Sequence, residues 1–130
     1  MDSHRKYIVL FVDDNPVDRA YIEGVLKKHN FQVLLAESGD EALKVVEQAV
    51  PDLILLDILL PKVSGIEVCK RLKALPKLTQ VPVIFFTSME TPKNLIDYAG
   101  YGAVDYLHKS IPSETLVAQI LFIIKTFSRS

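Results

Sequence analysis

Two aspartates, Asp13 and Asp14, stand side by side at the end of the apolar run "YIVLFV" (7–12). Carboxylates about 4 Å apart repel by roughly 4 kcal/mol at an effective dielectric near 20, so such a pair needs a cation or open solvent. Other reactive side chains occupy the same kind of place, just past an apolar run. Asp57 follows "DLILL" (52–56), Thr87 and Ser88 follow "VPVIFF" (81–86), and Lys109 follows "VDYLH" (104–108). If these runs are strands of one parallel sheet, three carboxylates, a hydroxyl and an ammonium converge beyond its carboxyl edge. An all-oxygen set with few protein ligands and room for water suits a hard cation, Mg2+. A carboxylate beside that cation can attack a phosphoryl group and form an acyl phosphate. The cation and Lys109 would then neutralise the phosphoryl oxygens, with Thr87 donating a hydrogen bond to another.

The elements that must position these groups are legible from periodicity. "YIVLFV", "FQVLLA" (31–36), "DLILL", "VPVIFF" and "VDYLH" read as strands. Several are apolar at every position, as strands covered on both faces of a parallel sheet should be. Helix-period segments separate them. In residues 16–29 the spacing places Val17, Tyr21 and Val25, with Ile22 and Leu26, on one side, and Pro16 suits a first helical turn. Ser38 with Glu41 and Ser64 with Glu67 match the capping box and predict helices over about 39–49 and 65–75. Thr91-Pro92 predicts a fourth helix, and Pro112 a fifth that reaches about Phe127. Strict alternation predicts an α/β fold: a doubly wound, five-stranded parallel sheet with five helices.

Composition bounds what such a fold can do. The 130 residues suit one domain, taken as 1–130 with a core of about 6–127 and no output domain. A formal net charge of −1 supplies no field to recruit nucleic acid or an anionic membrane. Cys69 is alone, which excludes a disulfide framework or a cysteine zinc site and points to a reducing cytoplasm. His4, His29 and His108 lack metal-ligand spacing. The N-terminal "MDSHRKY" has no apolar signal region, and the longest apolar runs fall far short of a membrane span. A soluble cytoplasmic protein without direct nucleic-acid or membrane partners is expected.

The blocks "FVDDNP", "LLDILLPKVSG", "FFTSM" and "VDYLHKS" occur in this order at successive strand ends, with Pro61 four and Gly65 eight residues beyond Asp57. Over nearly its full length the chain resembles the response-regulator receiver domains of two-component signalling, chemotaxis-type lone receivers most of all. The resemblance implies a flavodoxin-like receiver fold in which Asp57 is the phosphoacceptor. It implies Mg2+ held by Asp14 directly, by Asp13 largely through water, by Asp57, and by the backbone carbonyl of Leu59. Lys109 would pair with Asp57 before phosphorylation and with the phosphoryl group afterwards. Thr87 would turn to a phosphoryl oxygen, and Tyr106 would be the aromatic switch that moves with it. The implied donor is a phosphohistidine on a histidine kinase or histidine phosphotransfer protein, and the output a downstream protein target or attached domain. The chain would catalyse only its own phosphorylation and dephosphorylation.

Two departures from the family pattern stand out. Ser110 follows Lys109 where the family usually has a proline, often cis; a cis bond before serine would cost about 3 kcal/mol. Leu59 and Met89, which flank the phosphoryl group in the family, are apolar and unable to orient a water, so slow self-dephosphorylation is expected. Three rival functions differ in what they require. A phosphatase of the haloacid dehalogenase type needs a second acid two residues beyond its nucleophile, where Leu59 stands. A flavodoxin-like cofactor binder wants a Gly/Ser/Thr-rich loop in place of "DDNP". A docking-only receiver that accepts no phosphate requires only that Ser110 displace Lys109.

Other residues have plainer assignments. Alternation sends His108 to the opposite face from Lys109, in a structural or solvent-facing role. Cys69 falls with Ile66 and Leu72 on an inward stripe, and Lys70, Arg71, Lys73 and Lys77 on the wet face of the third helix. In the last helix Leu116, Ile120, Ile123, Ile124 and Phe127 form one stripe, with Phe122 nearly opposite Ile120. Phe122 therefore marks a partner face, with a homodimer through the last strand and its flanking helices as one expected use.

Overall fold

Strands apolar at every position have no solvent face, and the fold gives them none. The computed structural model describes residues 6–90 and 97–127. Its strands are β1 (Ile8–Val12), β2 (Gln32–Ala36), β3 (Leu53–Leu56), β4 (Val83–Thr87) and β5 (Asp105–His108). All pair in parallel, in the order β2-β1-β3-β4-β5. The helices are α1 (Pro16–Lys28), α2 (Gly39–Gln48), α3 (Gly65–Lys73) and α4 (Ser113–Phe127), with a 3-10 turn at Pro76–Leu78. The helix predicted to open at Thr91-Pro92 begins outside the described residues, among which there are four α-helices rather than five.

Alternation along each strand divides the core into two layers. Leu10, Val12, Ile54, Leu56, Val83 and Phe85 meet Val46 of α2 and Val68 and Leu72 of α3 on one face. Val9, Phe11, Leu53, Leu55, Ile84 and Phe86 meet Ile22 and Leu26 of α1 and Leu116, Ile120 and Ile124 of α4 on the other. Each such side chain contributes about 1.5–3 kcal/mol on burial, so the central strands are the best-anchored part of the molecule. The chain leaves β1 toward β2 on one side and returns to β3 on the other, so a crevice opens where β1 and β3 end together. Val12 and Leu56 are partners in the ladder, which sets the residues after them level.

Helix details correct the expected pattern in four places. Val17 and Tyr21, predicted to share the inward side of α1, are 73% and 57% exposed. Ile22 and Leu26 carry the docking; at about 100° per residue Tyr21 points about 100° away from Ile22, and Val17 about 140° away. Phe127 is exposed as well, the buried stripe of α4 ending at Ile124; Phe122, at 65%, lies outward as expected. Both serine caps form, but neither box closes. Glu41 accepts from Glu37 N–H at 2.7 Å instead of from Ser38, and Glu67 turns to Arg71 at 3.3 Å. Lys73, assigned to a wet face, instead donates to the carbonyls of Leu78, Thr79 and Val81 at 2.7–3.2 Å, holding the α3–β4 connection.

Cys69 is buried as expected, its thiol pushed up to about 11 by burial despite the nearby Lys73 charge.

Candidate functional site

The hydrogen-bond ladder carries the first and third strands one step past their ends. Asp13 N–H donates to Ala36 O at 3.0 Å, and Asp57 N–H donates to Val12 O at 3.0 Å. Both carboxylates are thereby held at the buried rim of the crevice, while Asp14 next to them is exposed. Asn15 then ends the loop: its Oδ1 accepts from Val17 N–H and Asp18 N–H and opens α1. Asp13 Oδ1 accepts from Asn15 N–H at 2.9 Å, and Arg19 Nη1 donates to the Asp13 carbonyl at 2.7 Å.

Asp57 is fixed from the other side by the start of α3. Its Oδ1 accepts from Leu59 N–H at 3.1 Å, and Gly65 N–H donates to Ile58 O at 2.8 Å. Gly65 stands so close that a methyl group there would collide with the Asp57 carbonyl oxygen. Glycine is thus required by space at the position eight residues past the acid.

Lys109 closes the site. Its Nζ lies 2.6 Å from Asp13 Oδ2, 2.7 Å from Asp18 Oδ2 and 3.0 Å from Asp57 Oδ2. Every peptide bond among the described residues is trans. The Lys109–Ser110 bond therefore needs no proline to bring the ammonium home. Asp18 is the residue that inspection of strand ends passes over, because it sits in the first turn of a helix. The signal was nonetheless present. Asn15 and Pro16 together open α1, and the first turn of a helix in this fold lies above the strand ends.

The charges are strongly coupled. Burial raises the Asp13 carboxyl above the ordinary carboxylate range and the Asp57 charge adds to the rise, while Lys109 and the Asn15 N–H oppose it. Burial alone would lower the Lys109 ammonium, but its contacts with Asp13, Asp18 and Asp57 outweigh that and raise it. Carboxylate oxygens of Asp13, Asp14 and Asp57 all fall within 4.8 Å of one another. Four carboxylates, Asp18 included, gather here, and three of them, Asp13, Asp18 and Asp57, share one ammonium among the described residues. That surplus, the all-oxygen donors and the exposed edge at Asp14 fit a hard dication that keeps some of its water.

Thr87 and Tyr106 lie nearby without joining this cluster. Thr87, the last residue of β4, is fully buried; its Oγ1 accepts from Met89 N–H at 3.3 Å, and its carbonyl accepts from Lys109 N–H at 2.9 Å. Tyr106 is turned inward and buried, its hydroxyl without a hydrogen-bond partner among the described residues. Burial, and then the charge of Glu90, raise its phenol above the usual value. Leu59 is exposed and supplies its N–H to Asp57.

Comparison with known proteins agrees with this geometry. Residues 9–121 match the family model described as the response regulator receiver domain. The chain is 33% identical over 112 residues to protein PilH of Pseudomonas aeruginosa, covering 86% of this chain and 93% of PilH. It is 34% identical to the transcriptional regulatory protein RstA of Escherichia coli, covering 86% of this chain but only 46% of RstA. Among solved structures, the receiver domain of the sensor histidine kinase PA1611 from Pseudomonas aeruginosa, with magnesium coordinated in its active-site cleft, superposes with a TM-score of 0.84. It is 27% identical, and the match covers 93% of this chain and 99% of that one. With its fold, its strand-end acids and its matched residues in agreement, the chain belongs to the response-regulator receiver family.

Proposed function

We propose that this receiver accepts a phosphoryl group on Asp57 in an Mg2+-dependent phosphorelay. The observation that carries the reading is the seat of Asp57. One carboxylate oxygen is held by Leu59 N–H at 3.1 Å and the other by Lys109 Nζ at 3.0 Å, between two further acids. A phosphohistidine on a histidine kinase or phosphotransfer protein is the proposed donor. A carboxylate oxygen of Asp57 attacks phosphorus, the P–N bond breaks, and the imidazole leaves with that electron pair and picks up a proton.

Asp13, Asp14, Asp57 and the Leu59 carbonyl would hold the cation, in keeping with the magnesium seen in the PA1611 receiver. When bound, it would neutralise the oxygens of the transferred group. Lys109 keeps Asp57 oriented before transfer and binds a phosphoryl oxygen after it, still tethered by Asp13 and Asp18. Thr87 Oγ1 then exchanges Met89 N–H for that group, and Tyr106, whose buried hydroxyl has no partner to lose among the described residues, follows. The chain acts on no other substrate. A docking-only role has less support, since its premise was a displaced Lys109.

Output is proposed to pass through protein contacts, with Phe122 of α4 on the partner face. No helix among the described residues is long and apolar enough to cross a membrane. The free Cys69 suits a reducing cytoplasm.

The test is intact mass after incubation with acetyl phosphate, with and without Mg2+, on the wild type and on Asp57→Asn. A metal-dependent gain of one phosphoryl group, absent in the variant, supports the reading. No gain under any condition overturns it.

A further inference from the structure

Lys109 must be aimed from a turn that lacks the stiffening ring of a proline. Three successive backbone N–H groups do that work here. Lys109 N–H donates to the Thr87 carbonyl at 2.9 Å and Ile111 N–H to the His108 carbonyl at 3.0 Å. Between them, Ser110 N–H donates to His108 Nδ1 at 3.1 Å. The same ring nitrogen lies 2.8 Å from Ser110 Oγ. With the backbone tied on both sides, the Lys109 side chain reaches Asp13, Asp18 and Asp57.

We propose that His108 is a positioning residue for Lys109, its neutral imidazole clamping the Ser110 turn that replaces proline. The proposal rests on the reading of Lys109 as the ammonium that serves phosphoryl transfer to Asp57. The tautomer follows from the donor: a backbone N–H can only donate, so Nδ1 carries the lone pair and Nε2 the proton. Nε2 lies 3.5 Å from Glu90 Oε1, on the loop three residues past Thr87. Protonation of the ring would place a hydrogen on Nδ1, which expels the Ser110 backbone N–H and donates instead to Ser110 Oγ, and would draw the imidazolium toward the Glu90 carboxylate. The backbone clamp on the Lys109 turn would then be lost, and the ring would be held by the loop that follows Thr87. Glu90 is the charged group facing the ring among the described residues. Tyr106, two residues earlier on the same strand, feels that same carboxylate.

Two measurements test the assignment. The first is the rate of phosphoryl uptake from acetyl phosphate with Mg2+ across pH 5–8, where imidazoles titrate, on the wild type, His108→Ala and His108→Asn. Asparagine places an oxygen near the Nδ1 position and accepts the Ser110 N–H, but does not titrate. Expected at pH 8 are a roughly tenfold loss in His108→Ala, the scale on which an outer-shell support acts, and a rate near wild type in His108→Asn. Toward pH 5 the wild type should lose rate relative to His108→Asn, in a ratio that cancels titration of the donor and of the acids. The second is the Ser110 amide resonance of the wild type, which should titrate with the same midpoint as that ratio. An unchanged rate in His108→Ala, or parallel pH profiles for wild type and His108→Asn, overturns the proposal and leaves the phosphoacceptor reading intact. If the wild type takes up no phosphoryl group, the phosphoacceptor reading falls. A Ser110 amide that does not titrate then overturns the clamp separately.

Discussion

Asp18 Oδ2 lies 2.7 Å from Lys109 Nζ, joining the first turn of α1 to the end of β5 across 91 residues of sequence. Asp13 and Asp57 also hold this ammonium, but under the proposed function Asp57 changes partners when it is phosphorylated. Asp18 is free to keep its hold throughout. Asp18→Ala should therefore slow phosphoryl uptake by roughly tenfold, as loss of an outer-shell partner does. Because Asp18 lies outside the three-acid cluster, Mg2+ affinity should change far less. Rates measured over a Mg2+ titration separate the two; an affinity loss as large as the rate loss would contradict this division of roles.

Asp13 is held at a cost. Its carboxyl is raised above its ordinary 3.8, chiefly by burial, so the folded state binds its proton more tightly than the unfolded state does. Stability contributed by this residue accordingly falls as pH rises from 3.8 through the folded value, and the penalty is complete above it. Asp13→Asn should melt higher than wild type at pH 7 without Mg2+, and the difference should vanish below pH 3.8. Saturating Mg2+ should reverse the order, since a ligand at a hundredfold its Kd adds about 2.7 kcal/mol to the form that binds it. Thermal melts at several pH values, with and without the cation, check each part.

Gly65 has no room for a side chain beside the Asp57 carbonyl. Gly65→Ala should cost about 1–3 kcal/mol, as overpacking of a close contact does. It should also slow uptake at Asp57, whose backbone must shift. Denaturant midpoints and the acetyl phosphate rate, measured together, would show both effects. A fully stable variant would mean that α3 can retreat at no cost.

Leu59 and Met89 flank the site without a group able to position water. The phosphorylated protein should persist for minutes or longer, and Leu59→Glu, which adds a carboxylate at an exposed position, should shorten its lifetime. Loss of the phosphoryl group followed by intact mass measures this. A wild-type lifetime of seconds would rule out the control assigned to these two positions.

Phe122 makes α4 apolar on its outward side as well as its inward side. If that face carries dimerisation, Phe122→Ala should weaken self-association of the beryllofluoride-activated protein and leave the melting temperature nearly unchanged. Sedimentation with and without the analogue decides the point; identical behaviour of wild type and variant would remove dimerisation from this face.

The strands, their parallel arrangement and the strand-end acids were readable because each depends on local pattern. An all-apolar run has only one kind of place to go, and in a doubly wound sheet its following residue has only one edge to reach. The inward sides of α1 and α4 were less readable. The spacing of Val17, Tyr21 and Phe127 satisfies a helical stripe, but the core is narrower than the stripe, and only contact decides which members it covers.

The sequence by itself determined which groups would meet: Asp13, Asp14, Asp57 and Lys109 are ordered by periodicity and by the ends of their strands. Tertiary structure alone decided how they are held. Asp18 joins the site from a helix, the trans turn at Ser110 is tied down by His108, and Lys73 serves loop carbonyls instead of solvent. Each of these is a contact between segments whose separation in sequence or direction of approach leaves no periodic trace. Side-chain hydrogen bonds depend on ångström-scale placement, which is set by packing once the sheet has formed.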